Sequence, residues 1–315
     1  MRVNVTTDHY RQDENSLGWE LTVCNSLHPP ASPCRKILKR SASYGSLLYD
    51  FLSRHVPMES IVRILEIGGG YGYLMRDFLL RNPTMQITML DISPLLSAKQ
   101  EETLRGHAVA YRVEDFLETH RSVLRGMDMA VLNENLGDFP TLLDLSKDCL
   151  AETEGDEHVR KARQMFRRYG FPVPESGMFH FNLGAVEAVE KLCLAEIPYI
   201  FLGEHSCEAS VPEALHGLVH FDSAGRPERI SLKGHDEYTI KFSYLESIAK
   251  ACNYRVLRGP FADFLEIAWD ERLRHIMASP SLADEEAEVL RHFVQDLYKY
   301  EYLVLIKIKR IGLPS

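Results

Sequence analysis

The chain has 315 residues, with 36 Lys and Arg against 45 Asp and Glu and a formal net charge of −9. That length fits one large domain or two modest ones, and 45% apolar with 26% charged residues excludes a disordered, collagenous or coiled-coil chain. The acidic balance argues against a nucleic-acid surface, which needs clustered excess Lys and Arg.

From the N-terminus, Met1 to Lys39 is polar, carries Pro29, Pro30 and Pro33, and reads as an irregular arm. Nothing in it resembles a secretory leader, and no later run approaches the ~18 apolar residues of a membrane span. Tyr44, Leu47, Leu48, Phe51, Leu52 and Val56 recur at helical spacing, with Ser41 or Ser43 as a cap. These first 57 residues form an arm and helix, and 58–315 the main domain.

That domain alternates short apolar runs with helical segments. Val62–Ile67 and Gln86–Leu90 read as strands, with a helix over Tyr73–Leu80 between them. Ser93-Pro94 starts the next helix, since Ser caps and Pro suits the first turn. Further strands are expected at Ala108–Val113, Asp128–Leu132, Ile197–Leu202, Tyr254–Leu257 and Tyr302–Ile308. Helices run through Val186–Cys193, Phe242–Cys252 and Leu290–Leu297. This alternation predicts an α/β fold, a mostly parallel sheet with helices on both faces. Two stretches interrupt it. Thr141–Asn182 runs from acidic Glu152–Glu157 to basic Arg160, Lys161, Arg163, Arg167 and Arg168, a pattern that fits a solvated helix face. Leu218–Leu232 reads as a hairpin turning near Ser223–Arg226. Both read as cap insertions, at about 141–182 and 204–240.

The strongest motif is Glu66-Ile67-Gly68-Gly69-Gly70-Tyr71-Gly72, directly after the first strand. Glycines there allow a tight turn and close ligand approach, and the following helix offers free N–H groups to an anion. Asp91 lies 23 residues after Gly68, at the second strand's tip, where an acid can take two ribose hydroxyls. A dinucleotide-binding oxidoreductase would want its third glycine at position 73, which is Tyr73; here it falls at Gly72.

The acid-x-Gly-x-Gly-x-Gly spacing resembles the first motif of Rossmann-like, class I S-adenosylmethionine (SAM) methyltransferases. The resemblance is good over Ile61–Asp138. It implies a seven-stranded sheet whose last strand inserts antiparallel beside the sixth, with SAM as cofactor. It assigns cofactor contacts to Glu66, Gly68, Gly70, Gly72, Asp91, Ile92, Asp115, Phe116 and Asn133. Asp115 would take the adenine amino group, and Phe116 would pack on the ring. The end of the fourth strand would face the transferred methyl, which makes Glu134 a candidate to orient an acceptor nitrogen or take its proton. His205, after the fifth strand, is a second candidate base. His235 and Asp236 are weaker ones.

Asp91-Ile92-Ser93-Pro94-Leu95 followed by Gln100, together with Asn133, Glu134 and Pro140, resembles the narrower MidA-like methyltransferases, which include a protein-arginine methyltransferase. Gly137 stands where that family has an Asp, with Asp138 one position later, and Gly203-Glu204-His205-Ser206 replaces its Asp-Tyr-Gly. The expected activity is therefore methyl transfer to an unidentified acceptor, a protein arginine or another nitrogen. The alternative is a methyltransferase-like assembly or binding protein without turnover. The base-methylating signatures Asn-Pro-Pro-Tyr and Asp-Pro-Pro-Tyr are absent, so no nucleic acid is expected as a partner, and without a long apolar run no membrane is expected either. Six scattered cysteines without a Cys-x-x-Cys pair point to a cytoplasmic protein. The 13 histidines include no His-Glu-x-x-His and show no metal-site spacing, so no metal is expected.

Overall fold

Seven of the apolar runs pair into one sheet. The computed structural model describes residues 2–11, 22–152, 156–175, 177–279 and 284–308. The strands are β1 (Arg63–Ile67), β2 (Gln86–Asp91), β3 (Val109–Val113), β4 (Met129–Asn133), β5 (Tyr199–His205), β6 (Tyr254–Pro260) and β7 (Tyr300–Lys307). Their order is β6-β7-β5-β4-β1-β2-β3. Strands β3, β2, β1, β4 and β5 pair in parallel, while β7 is antiparallel to both neighbours. This is the seven-stranded order the resemblance implies, with β7 wedged between β5 and β6.

Alternate side chains feed opposite layers, as a pleated strand requires. Ile64, Ile87, Met129 and Val131 point to one core, which is completed by α1 (Tyr44–Leu52), α2 (Tyr73–Arg81) and, late in the chain, the helix Glu285–Lys299. Leu65, Leu90, Ala130 and Leu132 point to the other, which is closed by the helices Glu157–Tyr169, Leu183–Leu194 and Phe242–Ala251. The helix α3 (Pro94–Thr103) follows β2, with Ser93 Oγ accepting the Leu96 N–H at its start. The helix Glu271–Ala278 was not expected from the sequence. It buries only Leu273, Ile276 and Met277, a weak apolar signal. No helix of the described residues is long and apolar enough to cross a membrane.

Two expectations need correction. The arm is not irregular throughout: Arg2–Asn4 forms a strand paired antiparallel with Thr141–Leu143, and Thr141–Leu145 also pairs with Phe179–Phe181. Short helices occupy Thr7–Arg11, Val23–Ser26 and Pro33–Lys36. Strand residues three at a time, contributed from distant segments, leave no periodic signal. The second correction concerns the hairpin. It pairs Arg229–Ser231 with Asp236–Tyr238 and turns at Gly234 (φ +98°), where Leu232 N–H donates to the His235 carbonyl. Gly225 also has positive φ, but its N–H donates to the distant Cys207 carbonyl rather than closing a hairpin. In the acidic run, residues 153–155 lie outside the described residues.

Candidate active site

Beyond Ile67 the chain turns through three glycines with positive φ: Gly68 (+62°), Gly70 (+53°) and Gly72 (+78°). Their demands differ. A Cβ on Gly68 would collide with Asn135 Nδ2, so this position is a close approach between the turn and the segment after β4. A Cβ on Gly70 would meet nothing within 4 Å, because that position faces open space. Gly72 caps α2. The Gly68 N–H donates to the Leu90 carbonyl at 2.9 Å, tying the turn to the end of β2.

Asp91 closes β2 and is 3% exposed. Its Oδ1 accepts the Ser93 N–H at 2.9 Å and its Oδ2 accepts from Gln100 Nε2 at 2.8 Å. Burial pushes the carboxyl up to about 6. The Ile92 N–H also acts on this carboxylate, and its two oxygens can accept about four hydrogen bonds in all, so acceptor capacity for a ribose hydroxyl remains. Ile92 follows in the same wall. From the end of β3 come Glu114, Asp115 and Phe116. Asp115 Oδ1 accepts the Leu117 N–H, which orients its carboxylate, and Lys191 Nζ holds the Phe116 carbonyl while lying 5.0 Å from the ring centroid.

At the end of β4, Glu134 has φ +55°, a strained conformation for a non-glycine residue and one that clusters at functional sites. Its carboxylate accepts the Val23 N–H at 2.7 Å and, through the other oxygen, the Cys24 N–H and Asn133 Nδ2, each at 3.0 Å. Glu134 therefore straps the N-terminal segment across the cleft. Burial is the main force pushing its carboxyl up to about 7.

These residues line one open cleft. Gly68, Gly70, Asp91, Ile92, Asp115, Phe116 and Glu134 all line it. Its described lining contains five carboxyl groups, Asp91, Glu114, Asp115, Glu134 and Asp138, and no Lys, Arg or His.

Four of the sequence-derived site residues stand elsewhere. Gly72 acts as the helix cap. Asn133 sits behind Glu134, donating to it and accepting from the Tyr44 hydroxyl. Glu66 lies beneath the turn, where a Cβ on Gly69 would come 2.5 Å from its Oε2. It is 2% exposed, and burial, with Asp91 nearby, pushes its carboxyl well above the usual range. His205 is outside the cleft. The β5–β7 register sets it opposite Tyr300, and its ring lies 3.7 Å from the Tyr300 ring, with Nε2 3.8 Å from Asp296. Strand alternation sends its neighbour Glu204 the other way, where it accepts the Gly137 and His205 N–H groups and is pushed by burial up to about 7.

Sequence reasoning missed the other wall. Thr6, Thr7, Tyr10, Thr22 and Asn25 come from the arm, and Asn135 and Asp138 from the turn after β4. Thr6 Oγ1 donates to the Asp138 carbonyl at 2.8 Å. The Asn133–Pro140 motif carried a signal for Asn135 and Asp138; the arm carried none. Gly137 has a steric reason to lack a side chain, since a Cβ there would come 3.2 Å from the Tyr238 carbonyl of the hairpin.

The residues fit SAM. Gly70 leaves a cradle that a side chain would fill, the turn leads into the start of α2 where backbone N–H groups suit a carboxylate, and Asp91 keeps acceptor capacity for a ribose. The described lining, without a basic side chain, suits a sulfonium and an ammonium.

Residues 48–148, which span β1 to β4, match the model of a family described as "Putative S-adenosyl-L-methionine-dependent methyltransferase". No curated protein matches the chain. Among solved structures, a candidate methyl transferase from Burkholderia thailandensis, crystallised with S-adenosylhomocysteine, is similar at 17% identity. The match covers 84% of this chain and 76% of that one, with a TM-score of 0.52. A structure of an uncharacterised protein of the same superfamily and organism is similar at 15% identity, covering 88% and 81%, with a TM-score of 0.51. At these identities the likeness establishes the fold, and the family model supplies the cofactor. Together they make this chain a SAM-dependent methyltransferase of the Rossmann-like, class I fold.

Proposed function

We propose that this chain transfers a methyl group from SAM to a nitrogen of a cationic acceptor, such as a protein arginine, entering between Glu134 and Asp138. The observation that carries this reading is the cleft lining, which among the described residues has five carboxyl groups and no basic side chain. Such a wall attracts cations and repels anionic acceptors.

The bound cofactor supplies an electrophilic methyl group, so the chain's task is chiefly alignment. The glycine turn and Asp91 hold one end of the cleft, and Asp115 with Phe116 hold the adenine side. Glu134 orients the acceptor at the β4 tip. With its carboxyl lifted to about 7, it exchanges a proton near neutral pH and serves to take one from the nitrogen. The backbone strap over Val23 and Cys24 helps keep water from that end. Because both Glu134 oxygens are already engaged, an assembly or binding role without turnover is the second reading.

The full chain is incubated with methyl-labelled SAM and host lysate, and the products are separated by size and then treated with base. Base-stable label in a protein or amine fraction supports the proposal. Base-labile label, as from a carboxyl ester, overturns the nitrogen assignment, and absence of any label under saturating SAM supports the second reading.

A further inference from the structure

Asp138 belongs to the turn after β4, whereas His235 and Glu237 come from the 229–238 hairpin. One potential ligand atom from each lies within 4.8 Å of the other two. The His235 side chain is 4% exposed. Its Nε2 lies 3.3 Å from Glu237 Oε1, 3.5 Å from Asp138 Oδ1 and 3.3 Å from the Tyr10 hydroxyl. A single N–H cannot point at three oxygens. The spacings are also long for direct ion pairs, which favour ~2.7–2.9 Å. Elsewhere in this chain Arg258 meets Glu301 at 2.7 Å and Lys241 meets Glu208 at 2.9 Å.

The two spacings from His235 Nε2 do suit the edges of a coordination shell. Donors ~2.0–2.2 Å from Zn²⁺ at tetrahedral corners lie about 3.3–3.6 Å apart. Asp138 Oδ1 is fully buried with no well-aligned hydrogen bond among the described residues, while His235 and Tyr10 both act on the Asp138 carboxylate. Charge points the same way. Burial and mutual repulsion hold Asp138, Glu204 and Glu237 above the usual carboxylate range, with the His235 and His205 imidazoles acting the other way. Buried carboxylates without a matching cation are costly.

We propose that Asp138, His235 and Glu237 hold a first-row divalent cation of the Zn²⁺ type. One imidazole nitrogen with two carboxylate oxygens is a donor set such ions accept. Asp138 also lines the cleft, so the ion lies at the wall of its acceptor end. The site stands independently of methyl transfer itself, although an ion on Asp138 would offset one of the five carboxyl charges on which the cationic-acceptor reading rests.

The full-length protein, stripped with chelator and dialysed, is titrated by calorimetry with ZnCl₂ and, separately, MgCl₂. One equivalent of Zn²⁺ per chain is expected, bound more tightly than Mg²⁺. The Zn²⁺ affinity should fall at least tenfold in Asp138→Asn and in Glu237→Gln and stay unchanged in His292→Ala, a surface histidine. Co²⁺ loading of the unaltered protein gives a readout that does not depend on a variant folding: intense ligand-field absorption of low-coordinate Co²⁺ is expected. The proposal is overturned by no stoichiometric Zn²⁺ binding, by tighter Mg²⁺ binding, by unchanged Zn²⁺ affinity in both carboxylate variants, or by only the weak spectrum of hydrated Co²⁺.

Discussion

Gln100 joins the glycine turn to the acid of the neighbouring strand: its Nε2 donates to Asp91 Oδ2 at 2.8 Å and to the Gly70 carbonyl oxygen at 3.0 Å. The side chain is fully buried. It therefore fixes the distance between the two parts of the chain that must grip one ligand from opposite sides. A hydrogen bond to a charged group is worth ~1.5–3 kcal/mol, and every 1.4 kcal/mol is about tenfold in affinity. Gln100→Leu keeps the volume and removes both bonds. It is expected to weaken SAM binding roughly tenfold or more by calorimetry, while Gln100→Ala adds a cavity and lowers the melting temperature further. Equal affinity in wild type and Gln100→Leu would show that the bridge does not organise the site.

Gly68 and Gly70 separate fold from binding. Both sit at positive φ, so an alanine at either costs ~1–2 kcal/mol of backbone strain. At Gly68 the new Cβ also collides with Asn135, which donates to the Ile67 carbonyl. Gly68→Ala should therefore lower the melting temperature clearly more than Gly70→Ala. Gly70→Val should remain folded by circular dichroism but lose detectable SAM binding, because its side chain projects into the cradle. Loss of folding in both variants, or SAM binding by Gly70→Val, would contradict this assignment.

The legible part of this site is the part built from contiguous sequence. Strand, glycine turn, helix and the Asp91 tip follow one another, so spacing alone puts Gly68, Gly70 and Asp91 around one space. Glu134 was legible for the same reason, at the tip of β4. Its carboxylate's grip on Val23 and Cys24 was not, because those residues lie more than a hundred positions away with no periodic pattern to place them. His205 failed for a different reason. Strand alternation fixes only which residues share a face, and the placement of His205 depended on β7, whose pairing brings Tyr300 against the histidine. The Asp138–His235–Glu237 grouping depends on a short hairpin whose turn lies at Gly234, several residues beyond the turn signal at Gly225.

Cofactor affinity should depend on pH through Asp91. Its folded carboxyl is raised to about 6, chiefly by burial, against an ordinary 3.8. For folding alone, a raised acid favours the native state below about 3.8 and loses that contribution as pH rises through about 6. Ligand binding has the opposite sign. Ribose hydroxyls donate to the ionised form, so SAM binds more tightly as the acid deprotonates. Calorimetry between pH 5 and 7.5 should show the SAM Kd falling across a midpoint near 6 and levelling above it. Asp91→Asn should bind weakly at every pH, with that transition gone. An unchanged transition in the variant would assign it to another group.

Glu134 and His205 make opposite predictions. Glu134 accepts the Val23 and Cys24 N–H groups, so Glu134→Ala removes the strap and leaves two backbone donors without partners. Limited proteolysis should then cut more readily between Thr22 and Arg40, and methyl transfer should fall by a factor of ~10²–10⁴ if the carboxylate also acts on the acceptor proton. Glu134→Gln keeps the shape but turns one acceptor into a donor facing the same N–H groups, so it should loosen the strap nearly as much. His205→Ala should do neither, since the ring lies against Tyr300 outside the cleft. It should keep SAM affinity and turnover within about twofold, while costing ~0.5–1.5 kcal/mol of stability for the lost ring pair. A collapse of turnover in His205→Ala with SAM binding intact would return the histidine to the chemistry and remove Glu134 as the principal candidate.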